Sequence, residues 1–255
     1  AAELAALIGS QSALSNRNLV INGAMQVAQR GTSTSSITTG FTFPCVDRIG
    51  FNVNNAGTWT VSQSTDVPSG QGFASSLKLQ CTTADTSLAA ADYIQCKTRI
   101  EANTLQGLAY GTSSAKSTTL SFWVKSAKTG TYIMEWLNQD AGNKHIQKAF
   151  TVDSANTWEK KELTIPGDTA GSIDNNNEKG IELSWWLGAG SNFTSSTLQT
   201  SWGALDQTAR ATGVVNLADS TSNDWYITGI QWEVGEQATP FEHRSYGDEL
   251  RRCQR

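Results

Sequence analysis

The strongest constraint on the fold is an alternation of apolar and polar residues over 223–235. Trp225 falls on one face of an extended strand, and Ile230 and Trp232 return to that face if Gly229 takes up one extra residue as a bulge. A strand that is apolar on one face is typical of a sheet that packs against a second layer. The pattern therefore predicts a β-sandwich in which this segment is the closing strand.

The same period of two recurs along most of the chain, and the helical period is almost absent. A short apolar strand over 18–25, broken by the turn-forming pair Asn22 and Gly23, is expected to lie beside the closing strand. We therefore predict an all-β fold, a two-sheet antiparallel β-sandwich of the jelly-roll type with short helical segments at both termini. The other predicted strands are 46–54, 58–64, 76–81, 92–100, 118–125, 131–137, 144–152, 159–165, 181–187 and 225–234.

The pattern divides the chain into three regions. Residues 1–17 are interpreted as a linker or the end of a stalk helix, from the apolar spacing of their leucines. Residues 18–244 form the predicted jelly-roll sandwich. Residues 245–255 are expected to start a C-terminal helix, capped by Ser245 with Asp248 three residues later, that leads into further sequence.

Composition excludes some partners. Charged residues make up 16% of the chain, against roughly 25% in ordinary globular proteins, which is typical of extracellular or virion β-proteins. The net charge of -4 gives no basic surface for a phosphate backbone, so no nucleic-acid partner is expected. No apolar run approaches the roughly 18 residues that span a bilayer, so membrane insertion is not expected either.

Residues suited to catalysis or metal binding are few. The four cysteines are far apart with no C-x-x-C pair; Cys81 and Cys96 are interpreted as reduced core residues, although a disulfide between their strands stays possible. His145 and His243 lack the context of a catalytic triad and are expected at exposed strand ends or in loops. No catalytic residue and no metal site is predicted.

Nine tryptophans offer a different chemistry, because sugars stack on aromatic rings. Alternation places Trp185, Trp225 and Trp232 in the core but directs Trp123 and Trp186 outward. If the strands that carry these two rings are neighbours, they form a saccharide-binding platform; a face covered by loops or by a partner subunit is an equal alternative. The residues predicted to surround the platform are Lys125, Glu135, Glu182, Tyr226 and Gln231.

Two further features bear on function. The long connection 191–222 has few strand signals and is a candidate contact surface. Paired carboxylates could hydrolyse glycosides, and Glu135, Glu182, Asp224 and Glu233 lie on or beside predicted strands. Such residues occur by chance in any β-protein of this size, so turnover is not expected.

Four motifs, at 18–31, 121–126, 155–160 and 231–244, resemble a domain found in tail-fibre and other virion appendage proteins of marine bacteriophages. The resemblance implies a non-catalytic structural protein of the virion that is assembled in the bacterial cytoplasm. It also implies three partners: further copies of the chain in a homotrimer, other virion proteins, and a bacterial surface glycan. A tail or capsid-surface domain without a ligand and a polysaccharide depolymerase are the alternatives.

More distantly, the opening and closing strands resemble those of jelly-roll carbohydrate-binding modules, which frequently hold a structural calcium. Such modules place carboxylates after the Asn-Gly turn and within the last strand. This chain has Ala24 and Met25 at the first place and Thr228 and Gly229 at the second. These residues offer no carboxylate oxygen to a hard cation, so no cofactor is predicted.

Overall fold

The computed structural model describes residues 16–254, and this part of the chain is almost entirely β-structure. The predicted all-β fold is confirmed, whereas the interpretation of the first 15 residues lies outside the described residues. The strands are β1 (Ser33–Thr42), β2 (Ile49–Ser64), β3 (Ser76–Thr83), β4 (Tyr93–Glu101), β5 (Thr118–Ser126), β6 (Gly130–Asn138), β7 (Lys144–Val152), β8 (Glu159–Ile165), β9 (Lys179–Ala189), β10 (Gly203–Ala204) and β11 (Asp224–Val234). One α-helix, α1 (Tyr246–Gln254), and three 3-10 turns, Ala102–Leu108, Gln207–Ala209 and Leu217–Asp219, complete the described elements.

All eleven strands belong to one antiparallel sheet that curls around β2. The first part of β2 pairs with β4 and the last part with β3, while β1 pairs with both parts. At Asn55 and Gly57, between the two parts, φ is +50° and +76°. The predicted segments 46–54 and 58–64 are therefore one strand. The two expected sheets are two layers that diverge from it: a first layer in the order β10-β7-β6-β9-β4 and a second layer in the order β3-β11-β5-β8.

A single apolar core fills the space between the layers. Phe122 on β5 lies 5.6 Å from the ring of Trp185 on β9 and 5.2 Å from Phe150 on β7, both edge to face. Trp225 and Trp232 on β11 are fully buried in the same core. The inward direction predicted for these two tryptophans and for Trp185 is confirmed.

The bulge predicted in the closing strand is present in β11. Thr228 pairs with Trp123 on β5 and Gln231 pairs with Ser121, so β11 contains one more residue than β5 over this stretch. Gly229 takes up the extra residue with φ of +63°, a conformation that glycine adopts without steric cost. The outer face of β11 thus lies beside the outer face of β5.

The opening segment around Asn22 is a series of turns and not the predicted strand. The backbone φ is positive at both Asn22 and Met25, which breaks an extended run. The segment nevertheless lies beside β11, as expected: the Leu19 N–H donates to the Trp232 carbonyl at 2.8 Å, and Gly23 accepts from the Ile230 N–H at 2.9 Å. A Cβ at Gly23 would lie 2.0 Å from the Ile230 carbonyl oxygen, so only glycine fits there.

Helix α1 begins as predicted, with the Asp248 N–H donating to Ser245 Oγ at 3.2 Å. None of the helices in the described part of the chain has the length and hydropathy needed to cross a bilayer. Cys81 and Cys96 are free and buried, which confirms the reduced interpretation. The domain boundaries at 17 and 244 stay a prediction.

Candidate functional site

The seven predicted platform residues are divided between the two layers. The condition for a joint platform, that the strands of Trp123 and Trp186 are neighbours, is not met, because four strands separate β5 from β9 in the sheet. The curl of the sheet at β2 therefore places the two rings on different layers. Trp123, Lys125, Tyr226 and Gln231 belong to the second layer, and Glu135, Glu182 and Trp186 belong to the first.

On the first layer, Glu135 is the centre of a buried polar network. Its carboxylate accepts hydrogen bonds from Arg210 Nε and Nη2 at 2.9 and 2.7 Å and from Trp186 Nε1 at 3.0 Å. His145 Nδ1 lies 3.0 Å from the same carboxylate. Burial alone would raise the pKa of Glu135, but the charge of Arg210 and the hydrogen bonds from His145 and Arg210 lower it to about 2. Glu135 is therefore ionised at neutral pH and is not poised to act as a general acid.

His145 itself is fully buried, so its expected exposure is wrong. Its position on β7 places the ring on the outer face of the first layer, where the connection after β9 covers it. The Asp206 N–H of that connection donates to His145 Nε2 at 3.2 Å. The imidazole therefore joins the sheet to the segment above it.

Trp186 points outward from β9, as predicted, but it is only 1% exposed. Its ring lies 5.3 Å from Phe193, and Arg210 lies over it at 5.0 Å. Both residues belong to the connection between β9 and β11, which was expected to be a contact surface. Part of this connection covers the chain's own sheet and closes Trp186 to any external ligand.

The other carboxylates considered for hydrolysis also have protein partners. Glu182 is buried and pairs with Lys97 and Arg99, each at 2.8 Å; burial would raise its pKa, but the charge of Lys97 and the hydrogen bonds of both cations lower it. Asp224 accepts from the Tyr226 hydroxyl at 3.0 Å, and buried Glu233 accepts from the Thr239 N–H at 2.9 Å. A glycosidase acid requires a raised pKa, which neither Glu135 nor Glu182 has.

The outer face of the second layer, by contrast, presents two tryptophans that are partly open to solvent, Trp123 and Trp158, beside the buried ring of Tyr226. Trp158, just before β8, lies 6.1 Å from Tyr226 in an edge-to-face arrangement. Lys125 Nζ lies 4.3 Å from the Tyr226 ring centroid and also pairs with Asp66. Asp66 accepts from Trp158 Nε1 at 3.0 Å. These contacts fix the orientation of both rings.

Beside them, the half-buried Trp123 lines a groove of about 240 Å³. The groove is also lined by Phe73 and Phe241, whose ring centroids are 5.0 Å apart, and by His243. A Cβ at Gly229 would lie 2.6 Å from the Phe73 ring and 3.1 Å from Trp123. The bulge glycine therefore leaves room for the rings on both sides. We name the surface formed by Trp123, Lys125, Trp158, Tyr226 and this groove the aromatic face.

Gln231 is buried and does not reach this face. Its side-chain Oε1 accepts from the Glu242 N–H at 2.7 Å, and its side-chain Nε2 donates to Thr239 Oγ1 at 3.1 Å. The side chain therefore holds the segment that carries Phe241 against the sheet. Gln231 is a structural support for the groove and not a ligand contact.

Sequence reasoning identified Trp123, Lys125 and Tyr226 but missed Trp158, Phe73 and Phe241 as site residues. Trp158 and Phe241 lie in two of the motifs that carry the family resemblance, and this signal could have identified them. Phe73 lies in a loop without periodicity, so only the tertiary structure brings it to the groove.

A structural calcium does not fit the opening turn. The Asn22 side-chain amide donates to the carbonyls of Val27 and Asp47, each at 2.9 Å, and the turn offers no carboxylate of its own. Among residues 16–254, no three His, Cys, Asp or Glu side chains are grouped so that they could hold a metal ion.

No protein-family model matches the chain, and no curated protein sequence is similar to it. Among solved structures, it is similar to the enzymatically active domain of tailspike protein 4 from bacteriophage CBA120, with a TM-score of 0.44 and 13% identity over 86% of the chain. The chain spans only 21% of that tailspike chain.

Two carbohydrate-binding structures are also similar. One is TmCBM61 in complex with β-1,4-galactotriose, with a TM-score of 0.38 and 11% identity over 86% of this chain and 100% of the other. The second is the CBM22-2 xylan-binding domain from Paenibacillus barcinonensis, with a TM-score of 0.37 and 14% identity over 72% of this chain and 91% of the other. Because all three TM-scores are below 0.5, these similarities do not decide what the aromatic face does.

Proposed function

We propose that this chain is a non-catalytic glycan-binding domain of a bacteriophage tail fibre or other virion appendage. It acts as a homotrimer on the virion surface, together with other virion proteins, and attaches the particle to a bacterial surface glycan. The aromatic face is the observation that supports binding best: Trp123 lies beside a groove, and Trp158 and Tyr226 lie on the same outer face.

Binding at this face would use the two chemical characters of a sugar. The apolar C–H face of a pyranose would stack on Trp123, while its hydroxyls would bond to polar groups at the groove, such as Lys160 and His243. Lys125 and Asp66 already fix the neighbouring rings, so less side-chain freedom is lost on binding. The ion-paired carboxylates of the first layer support a binding role in place of turnover.

Trp123→Ala, compared with wild type on a bacterial glycan array and by calorimetry with a retained glycan, tests the proposal. We expect the affinity to fall roughly tenfold or more, as for other central aromatic contacts. Trp158→Ala should weaken binding less, because its ring lies outside the groove. Tyr246→Ala removes an aromatic side chain that is 56% exposed on α1 and serves as the control.

Three outcomes would contradict the proposal. Unchanged binding by folded Trp123→Ala would exclude the groove as the glycan site. Retention of no glycan by the wild-type trimer would favour a purely structural appendage domain. Release of reducing ends from host polysaccharide would show a depolymerase.

A further inference from the structure

A second groove, of about 280 Å³, lies where the opening segment, the end of β4 and helix α1 meet. Its charged lining consists of three arginines, Arg48, Arg99 and Arg252, and one carboxylate, Glu101. This is a positive local charge in a chain with a net charge of -4. The groove shares none of its lining residues with the groove of the aromatic face.

The charge of Arg99 is not consumed by its protein partner. Its Nε donates to Glu182 at 2.8 Å, but Lys97 pairs with the same carboxylate at 2.8 Å. Two cations therefore share one anion.

The three guanidinium groups are held in place by neighbouring groups. Arg99 lies 4.1 Å from the centroid of the Phe41 ring, which restricts its planar fork. Arg48 Nη1 pairs with Glu101 at 3.5 Å, and its Nη2 donates to the Arg252 carbonyl at 3.0 Å, so the positive charge left in the groove is that of Arg99 and Arg252. Arg252 Nη2 in turn donates to Asn16 Oδ1. A preformed arrangement of this kind is suited to planar, bidentate recognition of an oxyanion.

We infer that this groove binds an oxyanion, a carboxylate, sulfate or phosphate, carried by an acidic polysaccharide. The uncharged lining supports a sugar as the carrier. Thr104 offers an exposed hydroxyl, and the partly exposed Leu19 offers an apolar surface for the ring face. The site adds a charge requirement that the aromatic face does not impose, because Lys125 and Lys160 on that face are paired with Asp66 and Glu162.

Calorimetric titration with dextran sulfate, and with neutral dextran of equal length, tests this inference on the full chain. We expect the sulfated polymer to bind and Arg252→Gln to weaken it roughly tenfold, the effect of losing one charge-assisted contact. Arg251→Gln is the matched control: it removes the same charge from the adjacent helix position, where the side chain is 77% exposed and pairs with Asp248. Its affinity should stay within about twofold of wild type.

Further variants separate the possible explanations. Arg99→Lys keeps the charge but not the fork, and it should also weaken binding; inorganic sulfate should compete in the wild type. Equal losses in Arg251→Gln and Arg252→Gln would reduce the effect to general surface charge and overturn the inference. If Arg252→Gln changed the mass of the oligomer but bound dextran sulfate as tightly as wild type, the groove would be a contact between subunits and the inference would be overturned. Trp123→Ala should retain dextran sulfate, so failure of this inference and failure of the aromatic face are distinguishable.

Discussion

At the scale of single residues, Glu135 explains why an outward tryptophan does not have to be a ligand contact. Alternation correctly placed Trp186 and Glu135 on the outer face of the first layer. It could not show that Arg210, 75 positions later in the chain, returns to pair with Glu135. The cover over Trp186 depends on this long-range ion pair, which no local pattern contains. Trp123, on the outer face of β5, is half-buried and lines a groove, and its role as a ligand contact stays a prediction.

The variant Glu135→Gln should lower the free energy of unfolding at pH 7 by about 3 kcal/mol, because it leaves Arg210 buried without its counter-charge. Since folding lowers the pKa of Glu135 from 4.5 to about 2, its contribution is complete above pH 4.5 and is lost as the pH falls towards 2. Urea unfolding of both proteins from pH 7 to pH 2 checks this. The difference between them should shrink at low pH; a constant difference would contradict the ionised state. Glu162→Gln, at an exposed pair, should change stability little.

At the scale of elements, the strands that have an apolar face were predictable and the polar strand was not. Segments 144–152 and 159–165 match β7 and β8 at both ends. Strand β1 escaped prediction because it is built from Ser, Thr and Gly with only Ile37 buried. The bend of β2 appeared as a break between two strands, because sequence periodicity does not show which strands pair on either side of a bend.

The bulge in β11 gives a prediction for one element. Gly229→Ala should destabilise the fold by more than Gly142→Ala, by about 1 kcal/mol or more, although φ is similar at the two positions, +63° and +69°. The added Cβ meets Phe73 and Trp123 at Gly229 but no atom within 4 Å at Gly142. Denaturant unfolding measures the difference, and glycan affinity should fall only in Gly229→Ala. Equal destabilisation would show that backbone strain alone matters and that the rings have room to move.

At the scale of the whole molecule, the two ends of the described chain are held together by side chains. Arg244 donates to the Asn18 carbonyl, and Glu242 accepts from the Asn18 N–H at 2.9 Å. Glu249 on α1 accepts from the backbone N–H of Asn22 and lies 3.6 Å from Arg244. Two of the motifs that carry the family resemblance thus meet at one end of the sheet. The contacts between these two motifs close the fold, and this role requires no ligand.

The closure can be tested through stability. Glu249→Ala should lower the free energy of unfolding by about 1–3 kcal/mol, because it leaves a buried backbone N–H without its acceptor and Arg244 without one of its carboxylates. Arg251→Ala, in the same helix but exposed, should have little effect. Calorimetry should show a single transition in both variants, since one core joins the two layers. Loss of α1 in a separate low-temperature transition would mean that the helix unfolds independently of the core and that the opening segment is held by β11 alone.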